Sequence, residues 1–183
     1  MRVRGRYDQL VAAAMELAAP GLPLSVPSLR AVARECGVTP TAVYRHFPSQ
    51  SSLNRVILMT VDQSFVAAVS AADDPARPPQ ERLQRFAHAY FDWGIANPGL
   101  YQLRFESADQ LGEDYVRTDA ADKLLAHIDG VIRSLEEPSP ATAEDLWVGL
   151  HGLVSLRIHK RDRPWSAEPR EQIDRLLRAW AIA

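Results

Sequence analysis

Residues 28–47 read SLRAVARECGVTPTAVYRHF, and the fold turns on how this stretch is read. Ser28 is a good N-cap for a helix over 28–36, and Gly37 stops it. Thr39 caps a second helix over 39–46, with Pro40 at the first helical position, where its missing N–H costs nothing. Two short helices joined by a tight turn with Gly make a helix-turn-helix. Ala33 is small where the helices cross, Gly37 supplies the φ > 0 turn, Val38 plugs the core, and Val43 and Phe47 anchor the second helix. Thr39, Pro40, Thr41, Ala42, Tyr44, Arg45 and His46 are left for the outside or the rim. Such a surface is short, hydrogen-bonding and cationic, as a helix laid in a DNA major groove requires.

Outward from this pair the chain keeps helical periodicity, with no run of period two long enough for a sheet. Residues 6–19 place Leu10, Ala13, Ala14 and Leu17 on one face and end at Pro20-Gly21. Ser49 opens a long helix to about residue 71, with Leu53, Val56, Ile57, Thr60, Val61, Phe65 and Ala68 on one stripe. Residues 73–79, DDPARPP, form a short, stiff linker. Further helices are expected at about 80–96, 98–107, 116–136, 141–160 and 167–181, with Asn97 capping the second of these. The fold class is all-α with about nine helices. A helix-turn-helix domain covers 1–49, a connecting helix 49–71, and a ligand-binding and dimerisation domain 50–183.

The 183 residues carry 21 Lys+Arg and 23 Asp+Glu, so the net charge is -2, but the balance is uneven. Residues 1–60 hold seven Arg against Asp8, Glu16 and Glu35, while the remaining 123 hold 14 basic and 20 acidic side chains. A basic head on an acidic body suits a head that meets a polyanion. One Cys excludes an intramolecular disulfide framework. No segment reaches the ~18 apolar residues of a membrane span, and no secretory leader is visible, so a cytoplasmic protein is expected. No phosphate-cradling Gly loop, nucleophile elbow or HExxH occurs, and His46, His88, His127, His151 and His159 do not pair at i, i+4. Neither catalysis, a metal nor a cofactor is expected.

RYDQLVAAAMELAAPG followed by SLRAVARECGVTPTAVYRHFPSQSSL resembles the DNA-binding head of tetracycline-repressor-like (TetR) regulators. NPGLYQLRF at 97–105 and LWVGLHGLVSL at 146–156 are similar to the subgroup named for a Trp-His-Gly motif, here Trp147, His151 and Gly152. The resemblance implies a DNA face of Ser28, Arg30, Thr39, Pro40, Thr41, Tyr44, Arg45, His46 and Gln50. Within it, Arg30 meets a base or phosphate, Thr39, Pro40 and Thr41 meet bases and thymine methyls, and Ser28, Tyr44 and His46 grip phosphate. Where the family usually has Lys then Glu after Phe-Pro-Ser, this chain has Gln50 and Ser51, so one charged phosphate contact is lost. Gln50 at a helix start could bond phosphate more weakly, and Arg2, Arg4 and Arg6 could compensate as an arm.

In the body, helix 141–160 is apolar around much of its circumference: Leu146, Leu150, Leu153 and Val154 on one side, Trp147 and Ile158 on another. Helix 167–181 adds Ile173, Leu176, Leu177 and Trp180. Such helices are buried on two fronts, as in a homodimer interface, or else they close a monomer core. Phe86, Tyr90, Trp93, Tyr101, Phe105 and Trp147, with His151 as a polar group, are the candidate lining of a small-molecule effector site; an aromatic stripe at this spacing equally suits plain core. Arg157, Lys160, Arg161 and Arg163 read as solvated cations at a helix C-terminus. The partners expected are a double-stranded DNA operator, a second copy and a small molecule, with no membrane. The competing reading is a ligand-binding helical dimer whose head has weak or lost specific DNA binding.

Overall fold

The computed structural model describes residues 5–20, 26–107 and 119–182. Among them the chain forms nine α-helices and no strand. Two compact units emerge, one of Met1–Ser64 with Ala96–Arg117 and the other of Phe65–Ile95 with Thr118–Ala183. The first therefore includes residues 96–117 beside the helix-turn-helix.

In the first unit, α1 (Arg6–Ala18) buries Leu10, Ala13, Ala14 and Ala18. Its stripe ends on Ala18 rather than on Leu17, which is half-buried. Helix α2 (Leu29–Glu35) starts where the Ser28 hydroxyl accepts the Ala31 N–H at 3.1 Å. Its end is closed twice: Val38 N–H bonds the Ala33 carbonyl at 2.9 Å and Gly37 N–H bonds that of Arg34 at 3.2 Å. That closure is a Schellman motif, and Gly37 takes its left-handed residue at φ 63°. Helix α3 (Pro40–Tyr44) starts with the Thr39 hydroxyl on the Ala42 N–H at 3.3 Å. It is two residues shorter than its spacing predicts, because the His46 and Phe47 N–H groups both turn onto the Val43 carbonyl at 2.9 Å. Val32, Val43 and Phe47 are at most 1% exposed and form the core of the motif.

Helix α4 (Gln50–Ala71) is 22 residues long, a rod of about 33 Å. Ser49 and Ser52 cap it reciprocally, each hydroxyl taking the other's N–H, at 3.1 and 3.2 Å. Leu53, Ile57, Leu58, Val61, Phe65 and Val69 are its buried positions. Val56, Thr60 and Ala68 of the expected stripe sit at its half-buried margin. Helix α6 (Pro98–Phe105) joins the first unit through Gly99 N–H on the Ala19 carbonyl, 2.9 Å, and an ion pair of Arg104 with Asp62 of α4. Asn97 holds the N-cap position of α6 but makes no side-chain capping bond.

In the second unit, α5 (Pro79–Ala96) buries Leu83, Phe86, Tyr90 and Trp93 on one face. Phe65 from the end of α4 meets Tyr90 and Trp93 edge-on, each at 5.2 Å. Helix α7 (Ala120–Arg133) follows; its expected start at 116 lies outside the described residues. Helix α8 (Ala143–His159) opens on a Thr142–Asp145 capping box. It buries Leu146, Leu150, Val154 and Ile158, so Ile158 falls with Leu146 rather than opposite it, as i, i+4 steps from Val154 require. Helix α9 (Pro169–Ala179) buries Ile173 and Leu177. A Cβ on Gly149 of α8 would come within 2.7 Å of the end of the Leu176 side chain and 2.8 Å of the Trp180 ring, so a larger residue there would have to push them aside. Arg157 is not solvated as its place at a helix end suggests. It donates to the Ala167 carbonyl at 2.8 Å and stacks 4.3 Å over Trp165, closing the α8–α9 connection.

Nothing lies within 4 Å of a Cβ at Gly37, so a side chain there meets backbone strain alone. Gly37→Ala should cost about 1–2 kcal/mol, read as a lowered urea midpoint with unchanged slope.

Candidate functional site

The residues of the expected DNA face divide by what their side chains already do. Ser28 and Thr39 spend a hydroxyl lone pair on the N-termini of α2 and α3 and remain exposed. Arg30, Pro40, Thr41, Tyr44, Arg45 and His46 are all exposed, Tyr44 at 47%. Arg30, Arg34 and Arg45 enter no ion pair among the described residues, and Glu35 is the one acid between 28 and 50. Short helices carrying unpaired guanidinium groups over a fully buried Val32–Val43–Phe47 base make a rigid cationic surface.

Tyr7 of α1, absent from the expected set, braces this surface. Its ring lies 5.3 Å from Phe47 and 6.2 Å from His46. No local pattern marks it, because its partners are forty residues away. Arg6 opens α1 and is part of a helix rather than of an arm; Arg2 and Arg4 lie outside the described residues.

Gln50 faces inward rather than toward a phosphate. Its Oε1 accepts the Leu29 N–H at 3.1 Å, and its Nε2 donates to the Pro27 carbonyl at 3.0 Å and to Asn54 Oδ1 at 2.8 Å. The reason is local: the Leu29 N–H is one of the orphan donors at the start of α2, and the Gln50 amide lies within reach of it. Both amide hydrogens are committed, so a phosphate bond from Gln50 would break one of them.

Residues 10–55 match the family described as bacterial regulatory proteins, tetR family, and residues 83–180 match the tetracyclin repressor-like C-terminal domain. The chain belongs to the TetR family. A tetR-family bacterial regulatory protein from Rhodococcus RHA1 is similar in structure, with a TM-score of 0.73 and 19% identity over 98% of this chain and 97% of that one. The TetR-family transcriptional regulator PfmR of Thermus thermophilus is similar at a TM-score of 0.64 and 18% identity, over 97% and 98%. In sequence, the chain is 23% identical to the nucleoid occlusion factor SlmA of Vibrio campbellii, over 57% of this chain and 53% of that protein. It thus spans about half the length of that relative. This TetR-family chain has no helix, among the described residues, long and apolar enough to cross a membrane.

The aromatic residues expected to line a ligand site fall into separate groups. Phe86, Tyr90 and Trp93 pack with Phe65 in the second unit, Phe86 lying 6.3 Å from Tyr90. Tyr101 and Phe105 stack on each other at 4.7 Å in the first unit, with Arg104 over Phe105. Trp147, 40% exposed, and the half-buried His151 lie on α8. A cavity of about 560 Å³ in the second unit is lined by Phe86 but by none of the other six.

That cavity adjoins a polar cluster which sequence reasoning missed. Asp73, after α4, takes two hydrogen bonds from Arg82 of α5, at 2.7 and 2.9 Å, and a third contact from His127 Nε2 of α7 at 2.7 Å. The Arg82 hydrogen bonds, and after them the one from His127, lower the Asp73 carboxyl to about 2 against the opposing effect of burial. With positions 9 and 54 residues apart, the cluster has no spacing signature.

Two outcomes are expected. Gln50→Leu leaves the Leu29 N–H and Pro27 carbonyl unpaired and should lose about 1–3 kcal/mol in urea unfolding. Asp73 is charged in the folded chain down to about pH 2, whereas its ordinary value is 3.8. Its stabilisation is therefore complete above about pH 5 and disappears as pH falls through about 2. Melting curves of Asp73→Asn should start lower than those of the parent at neutral pH and fall less steeply across that window.

Proposed function

We propose that this TetR-family chain is a sequence-specific transcriptional regulator acting in the cytoplasm, a homodimeric repressor that binds a palindromic operator and is released by a small molecule. The observation that carries the DNA part is the cationic face of α2 and α3: exposed Arg30, Tyr44, Arg45 and His46 on a base that Phe47 and Tyr7 hold still. Arg30, Thr39, Pro40 and Thr41 read bases, and Ser28, Tyr44, Arg45 and His46 hold phosphates.

The dimer part is supported by α8. Beyond the side it buries, it exposes Trp147, Val148 at 69% and Leu156 at 50%, and large apolar side chains left in water around one helix support an interface there. Two-fold pairing fits DNA, because two recognition helices then meet half-sites a helical turn apart, ~34–36 Å or a multiple. Trp147, His151 and Gly152 on the same helix support assignment of the body to the Trp-His-Gly subgroup. The effector acts by its differential affinity for two packings of the body, a coupling of ~1–3 kcal/mol.

The inward amide of Gln50 favours a second reading, a ligand-binding dimer whose head has lost specific DNA binding. Selection from a random duplex library at physiological salt separates the two. The repressor enriches a palindrome, and its affinity falls with salt at a log–log slope of roughly -4 to -5 for ~4–6 neutralised phosphates. A folded protein that enriches nothing is the second kind. On the selected duplex, Tyr44→Ala and His46→Ala should weaken binding for all sequences. Arg30→Ala and Thr41→Ala should relax preference at particular base pairs, by ~1–3 kcal/mol for each lost bidentate contact. Normal affinity and specificity in all four variants would show that this face is not the one used.

A further inference from the structure

The cavity of the second unit sets a few polar side chains in an otherwise apolar lining. At about 560 Å³ it lies within the range of small-molecule sites. Val66 and Val69 of α4, Phe86 of α5, and Leu124 and Ile128 of α7 make its walls apolar. Asp73, Asp119, Lys123 and His127 are its charged and imidazole lining.

Asp73 offers nothing to a cation. The fork of Arg82 occupies both carboxylate oxygens and cancels the charge. An ionised carboxylate only accepts, so His127 donates from Nε2, and the contact fixes which ring nitrogen faces Asp73. The Nδ1 of His127 has no hydrogen-bond partner among the described residues. Lys123 is tied to Asp119 at 2.6 Å, but both side chains are about three-quarters exposed, so the pair exchanges readily.

We infer that this cavity binds an apolar molecule ending in a carboxylate, seated with the carboxylate on His127 Nδ1 and Lys123 and the apolar part between α4, α5 and α7. Nδ1 can donate only once the ring carries a second proton, so the carboxylate binds together with one proton taken up from solvent, and His127 then donates from Nε2 to Asp73 and from Nδ1 to the ligand. This rests on the reading of the chain as a ligand-responsive regulator and assigns the effector's chemical class. An ammonium head could pair only with Asp119, in competition with Lys123, and would gain nothing from His127 Nδ1; a hydroxyl would form a single neutral bond.

Calorimetric titration of the full chain with decanoate, 1-decanol and decylammonium, each below its aggregation limit, tests this with one tail and three heads. Decanoate should bind once per chain and at least about tenfold more tightly than 1-decanol, the difference expected of a charge-assisted bond, with decylammonium weakest. His127→Gln keeps an N–H for Asp73 but cannot carry a charge. It should remove the advantage of decanoate while leaving 1-decanol within about twofold. Lys123→Ala, at an exposed position, should reduce the same advantage and serves should His127→Gln fail to fold. Ser70→Trp, from the exposed rim into the cavity, should abolish binding of all three probes with helical content unchanged. Equal affinity for decanoate and decylammonium, or decanoate binding insensitive to all three variants, overturns the inference. Duplex selection is read separately. A chain that enriches a palindrome but binds no probe loses this site and keeps the regulator reading. A chain that binds decanoate here but enriches no duplex keeps the site and loses that reading.

Discussion

Two hydrogen bonds of one side-chain amide join the start of α2 to the start of α4, and the cationic surface of α2 and α3 would loosen without them. Gln50 satisfies the Leu29 N–H, the Pro27 carbonyl and Asn54 together. The other ends are closed by equally local means: the Schellman turn at Gly37, the Thr39 cap, and the Ser49–Ser52 pair. Helices of seven and five residues are far too short to persist alone. They persist here because these helix ends have partners and Val32, Val43 and Phe47 are removed from water. The side chains outside are consequently presented on a fixed frame, at little entropic cost when a ligand as stiff as DNA arrives.

The same position shows how a lost contact can become a structural one. A Lys at residue 50 would carry a charge, and its ammonium has no acceptor for the Leu29 N–H. Gln supplies an acceptor and two donors within the space of one side chain. The backbone groups of Leu29 and Pro27 thereby stay satisfied, while Tyr44, Arg45 and His46 remain exposed.

In the second unit, apolar packing and polar pairing are kept apart. Phe65, Tyr90 and Trp93 meet edge-on, which is the geometry of a core. The Asp73–Arg82–His127 cluster sits instead where α4 ends and α5 and α7 converge, beside open volume. Aromatic residues drew attention in the sequence because they are large, yet size fills space as readily as it lines it.

Features carried by neighbours within a few residues were legible in the chain before any coordinates. Ser28, Gly37, Thr39 and Pro40 set helix ends through caps, a left-handed turn and a missing N–H, and the 3.6-residue period of Leu, Ile and Val set the buried faces. The helix-turn-helix and the all-α fold class could be read for that reason. The long side chains that meet across the chain could not: Tyr7 with Phe47, Gln50 with Leu29, Arg104 with Asp62, Arg157 with Trp165, and His127 with Asp73 pair only once the helices have docked. Such side chains reach several ångströms with several rotatable bonds, so their partners depend on where whole helices come to rest and leave no periodic trace along the chain.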